Sequence, residues 1–590
     1  MVGIKQDRFV GVIPVTQKIS QSFCSTKLRS TQSWKLRILS TVTLKTIWKK
    51  IWKKPSTSQD VSGTSEMSSR PSITASSSKL NLSTTQEQEG NLFGNRIMSI
   101  LNLVGFIEQL SCCICQEIVR FSDEQLTGEA SELSFTCGCD TVMKLPSSDV
   151  STNSRHHQVN DRLQMAVFEL GCHYEDARSL CANLDLPPPV SCQSWNLNKN
   201  RIHAAFEQEA TKSKKRAAEE IKQAKGNDVT VSCDGTWQKR GFSSKNGVVT
   251  VATVNGLSSK IIDTETLTNH CSKCKQKNTV AHVCLKNFEG HAGSMEGEGV
   301  QRIFRRSQQK FSLSYTGYLG DGDSKSFKKL ADAEPPIYPG KTLSKLECVG
   351  HIQKRMGRKL TNLVTACKNK VYKRDNGKKV KGIGGMKKLT QKEIYRIQGH
   401  YGAAIRKNAG NEAGMRKAVW AIFHHRNGNH DMCGEWCPSK KGDVTKANAR
   451  VLPGFIMKEI KSVFESLTST ELLSRCTHGG TQNVNESFHH VIWALCPKEV
   501  FVGLKRLDLA VNSAVLQYNE GKSSKWAVFP HLGILEGKFT KLYYTQIDNK
   551  RIKRSAVTKD AKAKRQKKQE ETRSMRTSEE YGPGLCENTE

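Results

Sequence analysis

The chain reads as an α/β protein: a mixed sheet with flanking helices, interrupted by an all-helical insertion, with zinc-binding subdomains and disordered termini. Three observations predict this. Val229, Val231 and Cys233 alternate with Thr230, Ser232 and Asp234, the period-2 pattern of a half-buried strand, and Gly235 then lets the backbone turn. Residues 247–254 and 260–265 read as two more strands, joined through Asn255-Gly256, the strongest short hairpin signal. A helix over 294–308 and a fourth strand over 311–319 follow, and beyond Asp321 the pattern is helical for roughly 150 residues.

A chain of 590 residues is too long for one core, so three or four units are expected. Hydrophobic residues make up 36% and charged residues 25%, the balance of folded units carrying long solvated segments. The 91 basic against 56 acidic residues leave a net charge of +35, which suits a polyanionic partner, nucleic acid or a membrane surface. No run of 18 apolar residues is present, so no membrane-spanning helix is expected, and the N-terminus lacks the apolar core of a secretory signal. The 20 cysteines, clustered in short pairs beside histidines, therefore read as zinc ligands in a reducing compartment rather than as disulfides.

Residues 1–95 form a Ser/Thr-rich basic arm expected to be disordered, with a basic-aromatic run over 45–54. Residues 96–225 form a cysteine-rich and helical region. Cys112, Cys115, Cys137 and Cys139 offer a four-sulfur zinc site. A helix is expected over 160–184, ended by Pro187-Pro188-Pro189, and a second over 202–224. Residues 226–330 hold the four strands and a knuckle of Cys271, Cys274, His282 and Cys284, two close ligand pairs separated by a short loop.

Residues 331–478 form the helical insertion. Cys348 and His351 lie one turn apart at the start of a basic helix, close enough for joint ligation of zinc. A Gly/Lys-rich loop spans 375–388, and a capping box, Thr390 to Glu393, opens a helix carrying Ile394, Ile397, Tyr401 and Ile405. His425, His430, Cys433 and Cys437, with His424 as substitute, make a mixed N/S set that suits zinc. In residues 479–545 a helix over 483–493 has a stripe of Val484, Phe488, Val491, Ile492 and Leu495, which leaves Glu486 free to face a polar site. Residues 546–590 form a basic tail expected to be disordered; its clusters at 550–554 and 562–568 are spaced like a bipartite nuclear import signal, so the nucleus is the expected compartment.

Three strands, a helix and a fourth strand, with acids ending strands one and four, is the arrangement an RNase-H-like nuclease core needs. Phosphodiester cleavage requires charge to be neutralised on both the attacking and the leaving oxygen, and two Mg²⁺ ions about 4 Å apart do this. Magnesium takes oxygen ligands and keeps several waters, so a few carboxylates suffice. Asp234, Asp321 and Glu486 would supply them, with Asp323 as the alternate second acid. On pattern alone each has a plainer reading: a turn residue capping Gly235-Thr236, an Asx-turn or N-cap for Asp323, and an exposed helix acid.

Asp234-Gly-Thr-Trp237, the Gly320–Lys325 run, Cys348-x2-His351 and Asn485-Glu486-Ser487, with Tyr401–Arg406 and Lys417–Trp420 between them, resemble a Mutator-like DDE transposase domain, from about Leu101 to at least Pro497. The resemblance implies an RNase-H-like core interrupted by a helical insertion between the second Asp and the Glu. It implies Asp234, Asp321 and Glu486 as catalytic acids holding Mg²⁺ or Mn²⁺. The implied chemistry is hydrolysis at transposon ends, followed by attack of the freed 3′-hydroxyl on target DNA. Double-stranded DNA, a second copy of the chain in a homodimer or higher oligomer, and a nuclear import receptor are the expected partners, and no membrane. The alternative is a domesticated descendant that binds DNA or chromatin without cutting; a third reading is a zinc-dependent binding module whose acids are incidental.

DNA phosphates are expected to meet Lys354, Arg355, Arg358, Lys359, Lys368, Lys370, Lys373 and Arg374. Trp237 and Trp436 read first as core and zinc-loop packing, and second as stacking platforms for bases.

Overall fold

The computed structural model describes residues 95–578 apart from 113, 140–141, 153, 240–242, 255–258, 276–280, 322–324 and 375, together with the short strands Val10–Pro14 and Arg37–Ile38. Most of the N-terminal arm, the Asn255-Gly256 turn and Asp323 lie outside the described residues. Contacts divide the chain into two units, Met1–Glu209 with Glu520–Glu590, and Ala210–Asn519.

The first unit contains a three-stranded antiparallel sheet, Arg120–Thr127, Ala130–Thr136 and Val142–Pro146, and the helices Gln158–Glu169 and Tyr174–Asn183. One helix was expected where these two lie. The break falls at Gly171, whose φ of 79° is accessible to glycine at little cost, and Asp176 caps the second helix by accepting from the His173 backbone N–H at 2.6 Å. Two buried charges here are paired, which offsets the cost of a low dielectric: Asp161 takes Arg201 and Asn198, and Lys525, 1% exposed, donates to both oxygens of Glu169 at 2.7 and 2.8 Å. Residues 546–578 of the segment expected as a disordered tail instead belong to a helix, Lys538–Ser578, and the rest of that segment lies outside the described residues. Its run of Lys, Arg, Gln, Glu and Ala is rich in strong helix formers, which outweigh its lack of an apolar stripe.

The second unit is built on a mixed sheet of β1 (Asp228–Trp237), β2 (Asn246–Thr253), β3 (Ile261–Thr268), β4 (Ser314–Gly320) and β5 (Ser344–Glu347), in the order β3-β2-β1-β4-β5. Only β2 runs against the rest: it pairs antiparallel with β1 and β3, whereas β4 pairs parallel with β1 and β5. Between β3 and β4 the chain forms α1 (Met295–Phe311). Val231, Cys233, Val249 and Val251 of the sheet pack with Val300, Ile303 and Phe304 of α1 in one apolar core. Gly299 permits that approach, because a Cβ there would lie 2.5 Å from Val249 Cγ2. β1 was expected to be half-buried, but both its faces are covered, and every residue of β2 is buried.

After β5 come α2 (Val349–Ala366), α3 (Gln391–Lys407), α4 (Glu412–Arg426), α5 (Gly454–Ser466), α6 (Asn483–Leu495) and α7 (Leu504–Glu520). Helices α2 to α5 share their own core, with Ile352, Met356, Ile397, Tyr401, Val419, Ile460 and Phe464 wholly buried. Thr390 caps α3 by accepting from the Glu393 N–H at 3.2 Å, as its position three residues upstream predicts. At the start of the Gly/Lys-rich loop, Val371–Lys373 and Lys379–Lys381 form a short antiparallel hairpin. No helix among the described residues is long and apolar enough to cross a membrane.

Candidate active site and metal centres

Parallel pairing of β1 and β4 brings their C-terminal ends to the same edge of the sheet. Asp234 lies in the last part of β1, and Asp321 directly follows β4. Glu486 reaches this edge because the helix that carries it is pinned to the sheet. Its neighbour Asn485, wholly buried, donates to Thr250 Oγ1 at 2.9 Å, Thr250 O at 3.1 Å and Ser232 O at 3.2 Å, and accepts from Ser232 Oγ at 2.7 Å. Gln482 donates to Cys233 O at 2.6 Å and Trp493 to Thr236 Oγ1 at 2.9 Å. Asn485 therefore faces the strands, and Glu486, one residue on, points to the opening with 49% of its side chain exposed. The stripe expected on α6 is rotated: Asn485 and His489 are buried with Phe488, Ile492 and Leu495, while Val484 and Val491 are half-buried.

Helix α2 closes the site from the insertion. Cys348 N–H donates to Gly320 O at 3.2 Å and Val349 N–H to Gly480 O at 3.1 Å, which fixes where the helix starts. His351 then sits between two acids, with Nδ1 3.4 Å from Asp321 Oδ1 and Nε2 3.5 Å from Glu486 Oε1. Lys354 lies 3.6 Å from Glu486, and Arg355 lies 3.8 Å from Asp321 and 3.1 Å from Glu347. Acids far apart in sequence thus converge on one imidazole.

Asp234 is 22% exposed, and Gly235 N–H donates to its Oδ1 at 3.0 Å. Burial first, and then the charge of Glu296, push its carboxyl up to about 7; Glu486 adds to this, while His351 and the Gly235 N–H oppose it. Glu296 stands in the first turn of α1, beside Gly235, and its Oε1 accepts from Ser326 Oγ at 3.0 Å. On the far side of Asp234, His489 Nδ1 lies 3.6 Å from Oδ2 and its Nε2 2.9 Å from Thr250 Oγ1. Burial drives this imidazole down to about 3, so its ring is neutral. His351 is instead raised, chiefly by Asp321. A carboxyl lifted toward neutrality by burial, and further by Glu296 and Glu486, is one whose ionised form a divalent cation would stabilise, and oxygen donors are the set that magnesium takes.

All three Cys/His sets read from spacing are assembled. Cys112, Cys115, Cys137 and Cys139; Cys271, Cys274, His282 and Cys284; and His425, His430, Cys433 and Cys437 each bring one donor atom per residue to within 4.8 Å of the others. A tetrahedral four-sulfur zinc site with bonds of about 2.3 Å has sulfur–sulfur edges of about 3.8 Å. Cys112 and Cys139 Sγ are 3.7 Å apart, and in the second set Cys274 Sγ lies 3.5 Å from Cys284 Sγ and 3.3 Å from His282 Nε2. In the third set, Cys437 Sγ lies 3.5 Å from both His425 Nδ1 and His430 Nδ1. Backbone N–H groups of Leu285 and Cys274 lower the Cys271 thiol to about 6, and burial lowers His425 to about 4, both toward the ligating form, whereas Cys284 raises the Cys274 thiol to about 11 and burial raises Cys433 to about 12. These clusters are compatible with zinc, and the described cysteines are free thiols.

Other expected residues fall as follows. Cys348 is buried against Val254 and Leu319 and accepts from the Gln482 N–H at 3.3 Å, while His351 turns to the acids. Among the described residues this pair is not one of the compact donor groups. Lys354, Arg358, Lys359, Lys368, Lys370 and Lys373 are exposed, but Lys354 and Arg355 face the acids, Lys359 donates to Ser466 Oγ at 2.8 Å and Lys370 pairs with Glu459 at 3.8 Å. Trp237 donates to Ala292 O at 2.9 Å and packs with Leu267, Phe288 and Met295, whereas Trp436, 45% exposed, lies edge-on to His425.

Sequence reasoning missed Glu296, His489 and Asn485. The one signal for Glu296 is Met-Glu-Gly-Glu-Gly at a helix start, where small residues let a helix press onto a sheet. The other two look like ordinary polar residues near a helix stripe. No curated protein matches this chain. Residues 94–437, more than half of the sequence, match the Mutator-like transposase family; that span holds all three Cys/His sets, Asp234, Asp321, Cys348 and His351 and stops short of Glu486, and the chain belongs to this family.

Proposed function

We propose that the chain is a DDE-type DNA transposase of RNase-H-like fold, which hydrolyses phosphodiesters at transposon ends and joins the freed 3′-hydroxyl to target DNA. One observation carries this: His351 lies within 3.5 Å of both Asp321 and Glu486, at the edge of the sheet where Asp234 stands. The strand order, with β2 alone reversed, supports the fold reading, and family membership supports action on nucleic acid.

Asp234, Asp321 and Glu486 would hold Mg²⁺ or Mn²⁺. When bound, such ions activate the attacking oxygen and neutralise charge on the leaving one. The chain's own groups hold the acids: Gly235 N–H fixes one oxygen of Asp234, and Asn485 locks α6 so that Glu486 stays at the opening. Lys354, 61% exposed beside Glu486, stands where a DNA phosphate would approach, and Arg358, Lys359, Lys368, Lys370, Lys373 and Arg374 extend the positive charge. The zinc sets would brace the knuckle and the insertion. Action in the nucleus as a homodimer or higher oligomer belongs to the same proposal.

Nicking of supercoiled plasmid tests the reading. The wild type should nick with Mg²⁺ or Mn²⁺ and stop on chelation, while Asp321→Asn binds DNA with the same salt sensitivity and gives no product. Salt-sensitive binding by the wild type without any product, unchanged in Asp321→Asn, would instead support a domesticated binding protein.

A further inference from the structure

The hydroxyl of Thr250 is the hub of a buried network beneath Asp234. Thr250 sits directly opposite Asp234 in the β1–β2 ladder. Its Oγ1 lies 2.9 Å from Asn485 Nδ2, 2.9 Å from His489 Nε2 and 3.2 Å from the Asp234 carbonyl oxygen. A hydroxyl has one proton to give and two lone pairs to receive with. Asn485 is oriented by Ser232 Oγ, which donates to its Oδ1, so its Nδ2 can only donate to Thr250. The single Thr250 proton then goes either to the Asp234 carbonyl or to His489 Nε2.

These choices differ at the far side of the ring. If Thr250 donates to the carbonyl, Nε2 carries the ring proton, and the bare Nδ1 lone pair faces Asp234 Oδ2 in a site where His489 is 8% exposed. If Thr250 donates to Nε2, Nδ1 carries the proton and aims it at that oxygen. Lone pair against carboxylate in a buried place is costly, and donor against carboxylate is favourable. The contact is 3.6 Å, longer than a formed hydrogen bond, so the bond requires Asp234 to turn toward the ring.

We infer that His489 is a positioning residue for Asp234: its Nδ1–H tautomer, set by the Ser232–Asn485–Thr250 relay, holds Oδ2 while Gly235 N–H holds Oδ1. The carboxylate plane is thereby fixed toward the opening that Asp321 and Glu486 share. This rests on the three acids forming a metal site. It also gives Asn485 and Glu486 one joint logic, since adjacent residues of α6 orient the first acid and supply the third.

The test is Mn²⁺ affinity, read by electron paramagnetic resonance on the zinc-loaded full chain without DNA. The site is identified as the fraction of binding that Asp234→Asn removes. His489→Ala should weaken that fraction about tenfold, the usual scale for groups that orient a metal's ligands. His489→Asn, whose amide nitrogen overlays Nδ1, should recover most of it. Thr250→Val, nearly the same shape, should weaken binding without unfolding the sheet, and its effect should not add to that of His489→Ala. Wild-type affinity in His489→Ala and Thr250→Val, or equal losses in the Ala and Asn variants, overturns the relay alone. A wild type with no Mn²⁺ binding sensitive to Asp234→Asn overturns the acid site, and the relay with it.

Discussion

Asp234 concentrates the energetics of the site in one side chain. Its carboxyl stands at about 7 against an ordinary 3.8, so the folded chain holds this proton more tightly than the unfolded chain. By linkage, the stability this gives is fully present below about pH 4 and is lost as pH rises through about 7. Above neutrality the ionised, mostly buried acid weighs against the fold by about 4 kcal/mol. Asp234→Asn should therefore raise the melting temperature of protein freed of Mg²⁺ at pH 8, and raise it by roughly half as much at pH 5.5. Calorimetry at the two values checks this; an equal gain at both would show that the carboxyl titrates normally. The acid itself was legible in the sequence, at the end of an alternating strand. Its neighbours Glu296 and His489 were not, because they reach it through the packing of two different helices on the sheet, which depends on register and not on any local spacing.

Elements defined by near neighbours were the ones the sequence revealed. The Cys/His sets were legible because their ligands recur within a few residues and must meet for chemical reasons. The third set lies at the C-terminal end of α4 and just beyond it, with His425 in the last turn and Cys433 and Cys437 buried. Zinc there should be structural. Wild-type protein is expected to carry three zinc ions per chain, one for each set, and Cys437→Ser two. In that variant, hydrogen exchange should rise over residues 424–437 while β1 and β2 stay protected. Three zinc ions retained in Cys437→Ser would remove Cys437 from the ligand set. The element misread most was α6. An apolar stripe gives the covered face correctly only when the facing surface is apolar. Here the sheet presents Ser232 and Thr250, so the covered face carries Asn485 and His489. Residues 546–578 of the tail differ from expectation for the opposite reason: helix-forming composition without periodicity still made a helix, Lys538–Ser578.

At the scale of the molecule, charge and fold point to the same partner. A net charge of +35 and exposed lysines on the helical insertion suit a phosphate backbone, and the family match agrees. The expectation that Asp234, Asp321 and Glu486 form one site could not be read from composition or spacing. It came from resemblance, and the matched family segment ends before Glu486. The geometry adds an independent reason, in the pinning of α6 to β1 and β2 and in His351 wedged between the last two acids. The most direct test replaces Mg²⁺ with Fe²⁺ and generates hydroxyl radicals at the bound ion, then sizes the protein fragments. The expected result is backbone cutting near residues 234, 321 and 486 together, suppressed by excess Mg²⁺ and abolished by Asp234→Asn. Cutting confined to one of the three segments, or found only around the Cys/His sets, would contradict a single site built from all three acids.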